Sequence, residues 1–248
     1  MKKIAQVTPL MVLALAGGAL IAACEDSSSS VESFDASTDA QFTLDAPTTP
    51  VEDAQPPKDV AAPDVADAAV VSADLALDFS STANPNGAWT FGYTMSSPAG
   101  DASALIPFTT PTAPATDIDL WFDPTHVNLD APSAFHNRSN STVNGVAPGE
   151  AGLHPGSVQE YAVARWTAPV AGKYAVKVQF KEGDQGDTNG LLLHNGVVLV
   201  NEESTSTNAV HELNVTLAAG DTLDVAVGNK GDFIYDSTPV IFSIRTAP

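Results

Sequence analysis

Apolar and polar residues alternate one for one through the second half of the chain. In GKYAVKVQFK, Tyr174, Val176, Val178 and Phe180 interleave with Lys173, Ala175, Lys177, Gln179 and Lys181. A repeat of two is that of a β-strand with one face buried and one wet. The lysines on the wet face fit a strand guarded against edge-to-edge pairing. HELNVTL places Leu213, Val215 and Leu217 on one face, DTLDVAVGN places Leu223, Val225 and Val227, and VIFSIR places Val240, Phe242 and Ile244. LLLHNGVVLV reads differently. Asn195-Gly196 is a two-residue hairpin turn that needs positive φ at both positions. It predicts pairing of Leu193 with Val198 and of Leu191 with Val200, with Leu192 and Leu199 on the opposite face. Both faces of this hairpin are apolar, so it is predicted to lie mid-sheet or under a cover.

No stretch after residue 75 sustains a 3.6-residue period, and Pro and Gly interrupt residues 94–156 throughout. Half-buried strands joined by short turns predict an all-β fold of two packed antiparallel sheets. The variant predicted is a jelly-roll-like β-sandwich over residues 75–248. The intervening residues 94–156 would supply long loops and shorter strands. Residues 75–248 as a whole hold 15 of the 17 aromatic residues. Their length is enough to bury about 70% of the surface of the unfolded chain.

The residues before it have another character. Lys2 and Lys3 precede a mostly apolar run, Pro9 to Ala23, that is too short for a comfortable membrane span and fits a signal peptide. It ends Ile21-Ala22-Ala23-Cys24, which resembles the bacterial lipobox. Small residues admit the backbone to a peptidase cleft, and the thiol accepts a diacylglycerol group. Residues 1–23 are therefore predicted to be removed, leaving Cys24 as a lipidated first residue, with palmitate-type acyl chains holding the protein to a bilayer. Cys24 is the single cysteine of the chain, so no internal disulfide can form. Glu25 rather than Asp follows it, which points to the outer membrane or cell surface. Residues 24–74 carry nine Asp, three Glu and one Lys after the cysteine, with repeated Asp-Ala units and few aromatics. Such a stretch cannot bury enough apolar surface to offset its chain entropy and reads as a disordered, self-repelling linker.

Charge narrows the partners. The formal net charge is −20, and losing Lys2 and Lys3 takes it to −22. No basic run exists, so nucleic acid is excluded as a partner on charge.

Several stretches, taken in order, bear a likeness to a known family. DFSSTANPNGAWTFGY (78–93), LHPG (153–156), YAVARWTAPVAGKYAVKVQF (161–180), LLLHNGVVL (191–199), LAAGDTLDVAVGN (217–229) and YDST (235–238) form the set. Together they resemble exported bacterial β-sandwich domains similar to carbohydrate-binding modules, frequent in planctomycetes and related environmental bacteria. The resemblance implies a sandwich, an exported location and a binding role for polysaccharide or envelope glycan, without naming a ligand.

Candidate site residues follow from chemistry. In NPNGAWTFGY, alternation puts Trp89, Phe91 and Tyr93 on one face, either core or a stacking platform for sugar rings. Trp121, in DIDLWFDPTH, is the better candidate for an exposed stacking ring, with Asp117, Asp119 and Asp123 as acceptors for sugar hydroxyls. Trp166 reads as core. His154 sits on a Pro-Gly turn where a neutral imidazole could hold a ligand. GDQGDTNG fails the spacing of an EF-hand loop. Asp78 and Asp236, near the first and last strands, are candidates to share a structural Ca²⁺. No nucleophile elbow, phosphate loop or zinc helix is present, so the chain reads as a non-enzyme. The rival is a structural or protein-binding envelope protein with no sugar site.

Overall fold

A computed structural model describes residues 70–111, 117–125 and 131–248. The predicted signal peptide, Cys24 and linker residues up to 69 lie outside the described residues; the last residues assigned to the linker do not belong to it, because Ser72–Asp74 form a strand paired with the last strand of the sandwich. In chain order the strands are β1 (Ser72–Asp74), β2 (Trp89–Thr94), β3 (Ile106–Pro107), β4 (Thr110–Pro111), β5 (Ile118–Phe122), β6 (Ser133–Asn137) and β7 (Ala151–His154). Then come β8 (Tyr161–Thr167), β9 (Gly172–Phe180), β10 (Thr188–His194), β11 (Val197–Glu202), β12 (Val210–Leu217), β13 (Thr222–Asn229) and β14 (Thr238–Thr246). Two 3₁₀ turns are the only helical pieces among the described residues.

The strands form two antiparallel sheets, as the alternation predicts. Sheet A runs β12-β9-β14-β7-β6-β5-β4, and sheet B runs β11-β10-β13-β8-β2-β3. β14 changes neighbour along its length. Its first residues pair with β7 through Thr238 and Pro239, and its last pair with β1 through Ser243, Ile244 and Arg245. The inward rows of the two sheets make one core. Tyr174, Val176, Val178, Phe180, Val240, Phe242 and Ile244 come from sheet A; Trp89, Phe91, Trp166, Leu192, Val225 and Val227 come from sheet B. Trp89 meets Phe242 edge-on at 5.6 Å between ring centres, and Trp166 meets Tyr174 in the same way at 5.4 Å. Such edge-to-face pairs suit the ring quadrupoles.

Two expectations need correction. β9 lies between β12 and β14, so its lysines guard no edge. In the hairpin, Asn195 (φ 48°) and Gly196 (φ 80°) form the expected turn, and Leu193 pairs with Val198. Beyond it Leu192 pairs with Val200 and Leu191 with Asn201. Leu199 is the extra residue of a β-bulge, which shifts the register by one position.

The predicted cover exists over β10 only; β11 is an exposed edge strand. Leu191 and Leu193 point away from the main core and join Val163 and Ala226 in a second buried cluster, with Leu105 and Tyr161 packed against it. The segment between β2 and β3 lies on this outer face, tied down where Gly100 N–H donates to the Gly196 carbonyl at 2.8 Å.

Candidate ligand-binding site

Most of the polar and aromatic residues selected from sequence turn out to be spent on holding loops in place. Trp89 is 3% exposed, and its Nε1–H donates to Asp78 Oδ2 at 3.1 Å. Asn86 and Trp89 exchange both backbone hydrogen bonds, closing a tight turn with Gly87 at φ 56°. The Asn84 side chain clamps the next strand, accepting from Phe91 N–H and donating to the Phe91 and Phe108 carbonyls. The NPNGAWTFGY stretch is thus a corner of the core, not a stacking platform. Trp121 overturns its expectation more sharply. It is 4% exposed, and its Nε1–H donates to the Ser80 carbonyl at 2.6 Å. The loop after β1 folds over it, so no ring face is open to a sugar.

The acids near Trp121 are engaged as well. Asp119 is buried and accepts from Arg138 Nε at 2.8 Å, with His136 Nδ1 at 3.6 Å. Asp123 accepts from the Tyr93 hydroxyl at 2.8 Å and from the Thr125 N–H and hydroxyl. Burial, followed by the Asp123 carboxylate, pushes the Tyr93 phenol well above its usual range. Asp117 gives its carbonyl to the Arg138 N–H.

His154 shares a cross-strand row with Ser133 and Phe122, two strands away from Trp121's strand. Its Nδ1–H donates to the Pro155 carbonyl at 2.8 Å, and Phe233 stands edge-on to it at 6.2 Å. Burial holds its pKa below the ordinary value, which keeps the ring neutral.

The Ca²⁺ site shared by Asp78 and Asp236 does not form. Asp78 returns its carboxylate to the Asp74 N–H, and Asp74 pairs with Ser243. Asp236 precedes Ser243 by seven residues along β14, about 23 Å of extended chain. The two acids sit at opposite ends of the last strand. Among the described residues no three His, Cys, Asp or Glu side chains gather in metal-binding geometry. Asp236 is nonetheless unusual. It is 2% exposed, its Oδ2 has no hydrogen-bond partner, and its pKa is pushed up to about 7 by burial first, then by Asp232 and Asp187.

A broad concavity lies elsewhere, on the outer face of sheet A. It encloses about 720 Å³ over β12, β9, β14 and β1. Register explains its shape. Glu212, Lys177, Ser243 and Asp74 form one row across the four strands. Asn214, Ala175, Arg245 and Ser72 form the next. Small residues, Ala175 and Ser243, occupy the middle of the rows and leave a floor. Longer polar side chains rise around it, and Leu77, 85% exposed, stands at its rim. A shallower depression of about 320 Å³ at the sandwich end is bordered by Asp78, Asn86 and the edges of Trp89 and Trp166.

None of the groove residues was selected from sequence. Their only signal was the wet half of each alternating strand, which reads as ordinary solvated surface until the register brings the rows together.

No family model matches the chain, and no curated protein matches it either. Solved structures share parts of its fold. A family 35 carbohydrate binding module from Clostridium thermocellum is 15% identical with a TM-score of 0.27, over 56% of this chain and 100% of that one. CBM51 from Clostridium perfringens GH95, in complex with methyl-galactose, is 9% identical with a TM-score of 0.30, over 57% and 95%. Rabbit GITRL is 13% identical with a TM-score of 0.27, over 34% and 71%. No functional inference rests on these similarities.

Proposed function

We propose that the protein is an envelope lipoprotein, anchored through Cys24, whose β-sandwich binds carbohydrate in the groove on sheet A without turning it over. The observation that supports this reading is the groove itself. Its volume falls in the range of about 300–1,000 Å³ that ligand clefts occupy. Its lining is hydrogen-bonding: Ser72, Lys177, Glu212, Asn214, Ser243 and Arg245 supply donors and acceptors on a rigid sheet. A hydroxyl-rich ligand can match such a set, whereas an apolar one cannot.

Geometry also argues for binding without hydrolysis. The two groove carboxylates, Glu212 and Asp74, stand at the ends of one row, three strand spacings apart. At about 4.8 Å per spacing that is roughly 14 Å. A glycosidase acid pair sits about 5–9.5 Å apart. Asp74 Oδ1 is moreover occupied by the Ala76 and Leu77 N–H groups.

The anchor rests on the Ile21-Ala22-Ala23-Cys24 stretch and on the absence of any other cysteine. Acyl label on the full chain, lost in Cys24→Ser, is the expected result. For the groove, a glycan array probed with the full chain tests the reading. Signal that disappears in Asn214→Ala and Glu212→Ala supports it; silence across the array overturns it. The protein-partner alternative has one observation of its own. Edge strand β11 exposes Val197, Val198 and Leu199 at 65%, 39% and 37%. Under that reading, charges placed on β11 abolish partner capture and leave the array unchanged.

A further inference from the structure

The unpaired cations of the domain gather at the groove, beside its two carboxylates. Residues 75–248 hold seven Lys and Arg against 18 Asp and Glu. Four of the seven cations are paired: Arg138 with Asp119, Arg165 with Asp224, Lys181 with Glu150 and Lys230 with Asp187. The remaining three, Lys173, Lys177 and Arg245, make no ion pair and no side-chain hydrogen bond. All three stand on the outer face of sheet A. In a chain this rich in acids, leaving the spare cations together on one face is the reverse of what random surface pairing would produce.

Lys173 and Lys177 lie two residues to either side of Ala175 on β9, about 7 Å away along the strand, and Arg245 is its cross-strand partner on β14, roughly 5 Å away. Ala175 contributes only a methyl group, so Lys177 and Arg245 border a recess instead of a filled position, with Lys173 on the same strand face just outside its lining. Glu212 faces Lys177 from β12 without forming an ion pair, which leaves both lining cations free to hold an anion over Ala175. Glu212 and Asn214 on β12 border the same recess and offer an acceptor and an amide to neighbouring hydroxyls.

We infer that the groove takes an acidic glycan, with the anionic group of one sugar seated over Ala175 between Lys177 and Arg245. This rests on the carbohydrate-binding reading and specifies its ligand class. The anion is a carboxylate or a sulfate ester; both offer several oxygens to the guanidinium and ammonium donors. Nucleic acid shares the charge but lacks the ring hydroxyls beside the anion that Glu212 and Asn214 would read.

Affinity electrophoresis and calorimetry on the full chain test the inference with four probes: polygalacturonate, the same polymer after carboxyl reduction, sulfated dextran and unmodified dextran. Binding to polygalacturonate or sulfated dextran is expected, and which of the two binds identifies the anion. Carboxyl reduction or removal of sulfate should weaken it about tenfold or more, as loss of a charge-assisted contact does. Lys177→Thr and Arg245→Ser should each weaken it about tenfold, and Lys230→Ser, at the loop end, should leave it unchanged. Raising salt should weaken it in the native chain and much less in a Lys177→Thr/Arg245→Ser double variant. Equal binding of charged and neutral polymers overturns the acidic-glycan inference while the carbohydrate reading survives. Binding to none of the four, with a silent array, removes both. Comparable binding to duplex DNA overturns the inference in favour of a general polyanion patch.

Discussion

The two sheets of this sandwich carry the same alternation and turn different outer faces to their surroundings. On sheet B the outer row is apolar and covered: Val163, Leu191, Leu193 and Ala226 are buried under the segment that carries Leu105. Its one charged position is closed by an ion pair. Arg165 Nε and Nη2 donate to the two oxygens of Asp224 at 2.7 Å each, and Nη2 also donates to the Ala102 carbonyl at 2.6 Å. On sheet A the outer row is polar and uncovered, and it encloses the groove. In the first case side chains and cover satisfy one another. In the second the side chains are held ready on a rigid sheet with nothing of the protein's own to bind. That contrast makes sheet A, not the tryptophan-rich loops, the face to assign to a ligand.

The contrast predicts its largest effect at the covered ion pair. Asp224 is 1% exposed, and Asp224→Ala leaves the Arg165 guanidinium under the cover with no counter-charge, only the Ala102 carbonyl. Loss of about 3–5 kcal/mol is expected from urea unfolding, as for other broken buried pairs. The double variant Arg165→Met/Asp224→Leu should recover most of it, because two apolar chains leave no charge stranded. A single-variant cost under about 1 kcal/mol would mean water reaches the pair and the cover is loose. Next in size is Leu193→Ala. Leu193 is fully buried between sheet B and its cover, and about 2–4 kcal/mol should be lost.

A third test sets one buried acid against another. Asp224 has its arginine; Asp236 has no partner for Oδ2, and its pKa is pushed up to about 7. A carboxyl whose folded pKa lies above its unfolded one stabilises the fold fully at low pH and loses that contribution as pH rises from the ordinary carboxylate range through about 7. Asp236→Asn removes the titration. Its stability relative to the native chain should therefore be equal near pH 4 and higher at pH 8, the gap opening as pH rises towards about 7. A difference that does not change between those pH values would show that Asp236 is solvated in the folded protein.

Sequence carried the fold a long way and the site hardly at all. Strand faces are local: Tyr174 to Phe180 declares its buried side within one heptad, and the doubly apolar LLLHNGVVLV calls for a cover that only β10 receives. The identity of that cover was not readable, because Leu105 lies in an irregular stretch without period. Trp121 misled because an acidic, loop-rich neighbourhood looks exposed; only the fold shows the Ser80 carbonyl above its ring nitrogen. The Asp78 and Asp236 pairing failed because strands adjacent in a sheet can meet at either end, and β1 pairs with the far end of β14. The groove was invisible for a deeper reason. Its rows join Ser72 to Arg245 and Lys177 to Glu212, partners separated by up to most of the domain, and concavity arises only when their small members coincide.

The smallest predicted effect is the one that decides between the two faces. Lys177→Thr removes a half-buried cation from the middle of sheet A. If the outer face of sheet A were a structural surface like that of sheet B, the change would strand Glu212 opposite it and loosen the packing, at a cost of about 2 kcal/mol or more. As a presented face it should behave otherwise. Lys177 has no ion pair to lose, and Thr suits a pleated surface better than Lys. Unfolding free energy should therefore move by no more than about 0.5 kcal/mol, toward stability if at all. The same variant is expected to lose most of its glycan affinity. Stability that holds while binding falls separates a residue kept for a ligand from one kept for the fold, and a substantial loss of stability would make sheet A a second covered face awaiting its cover.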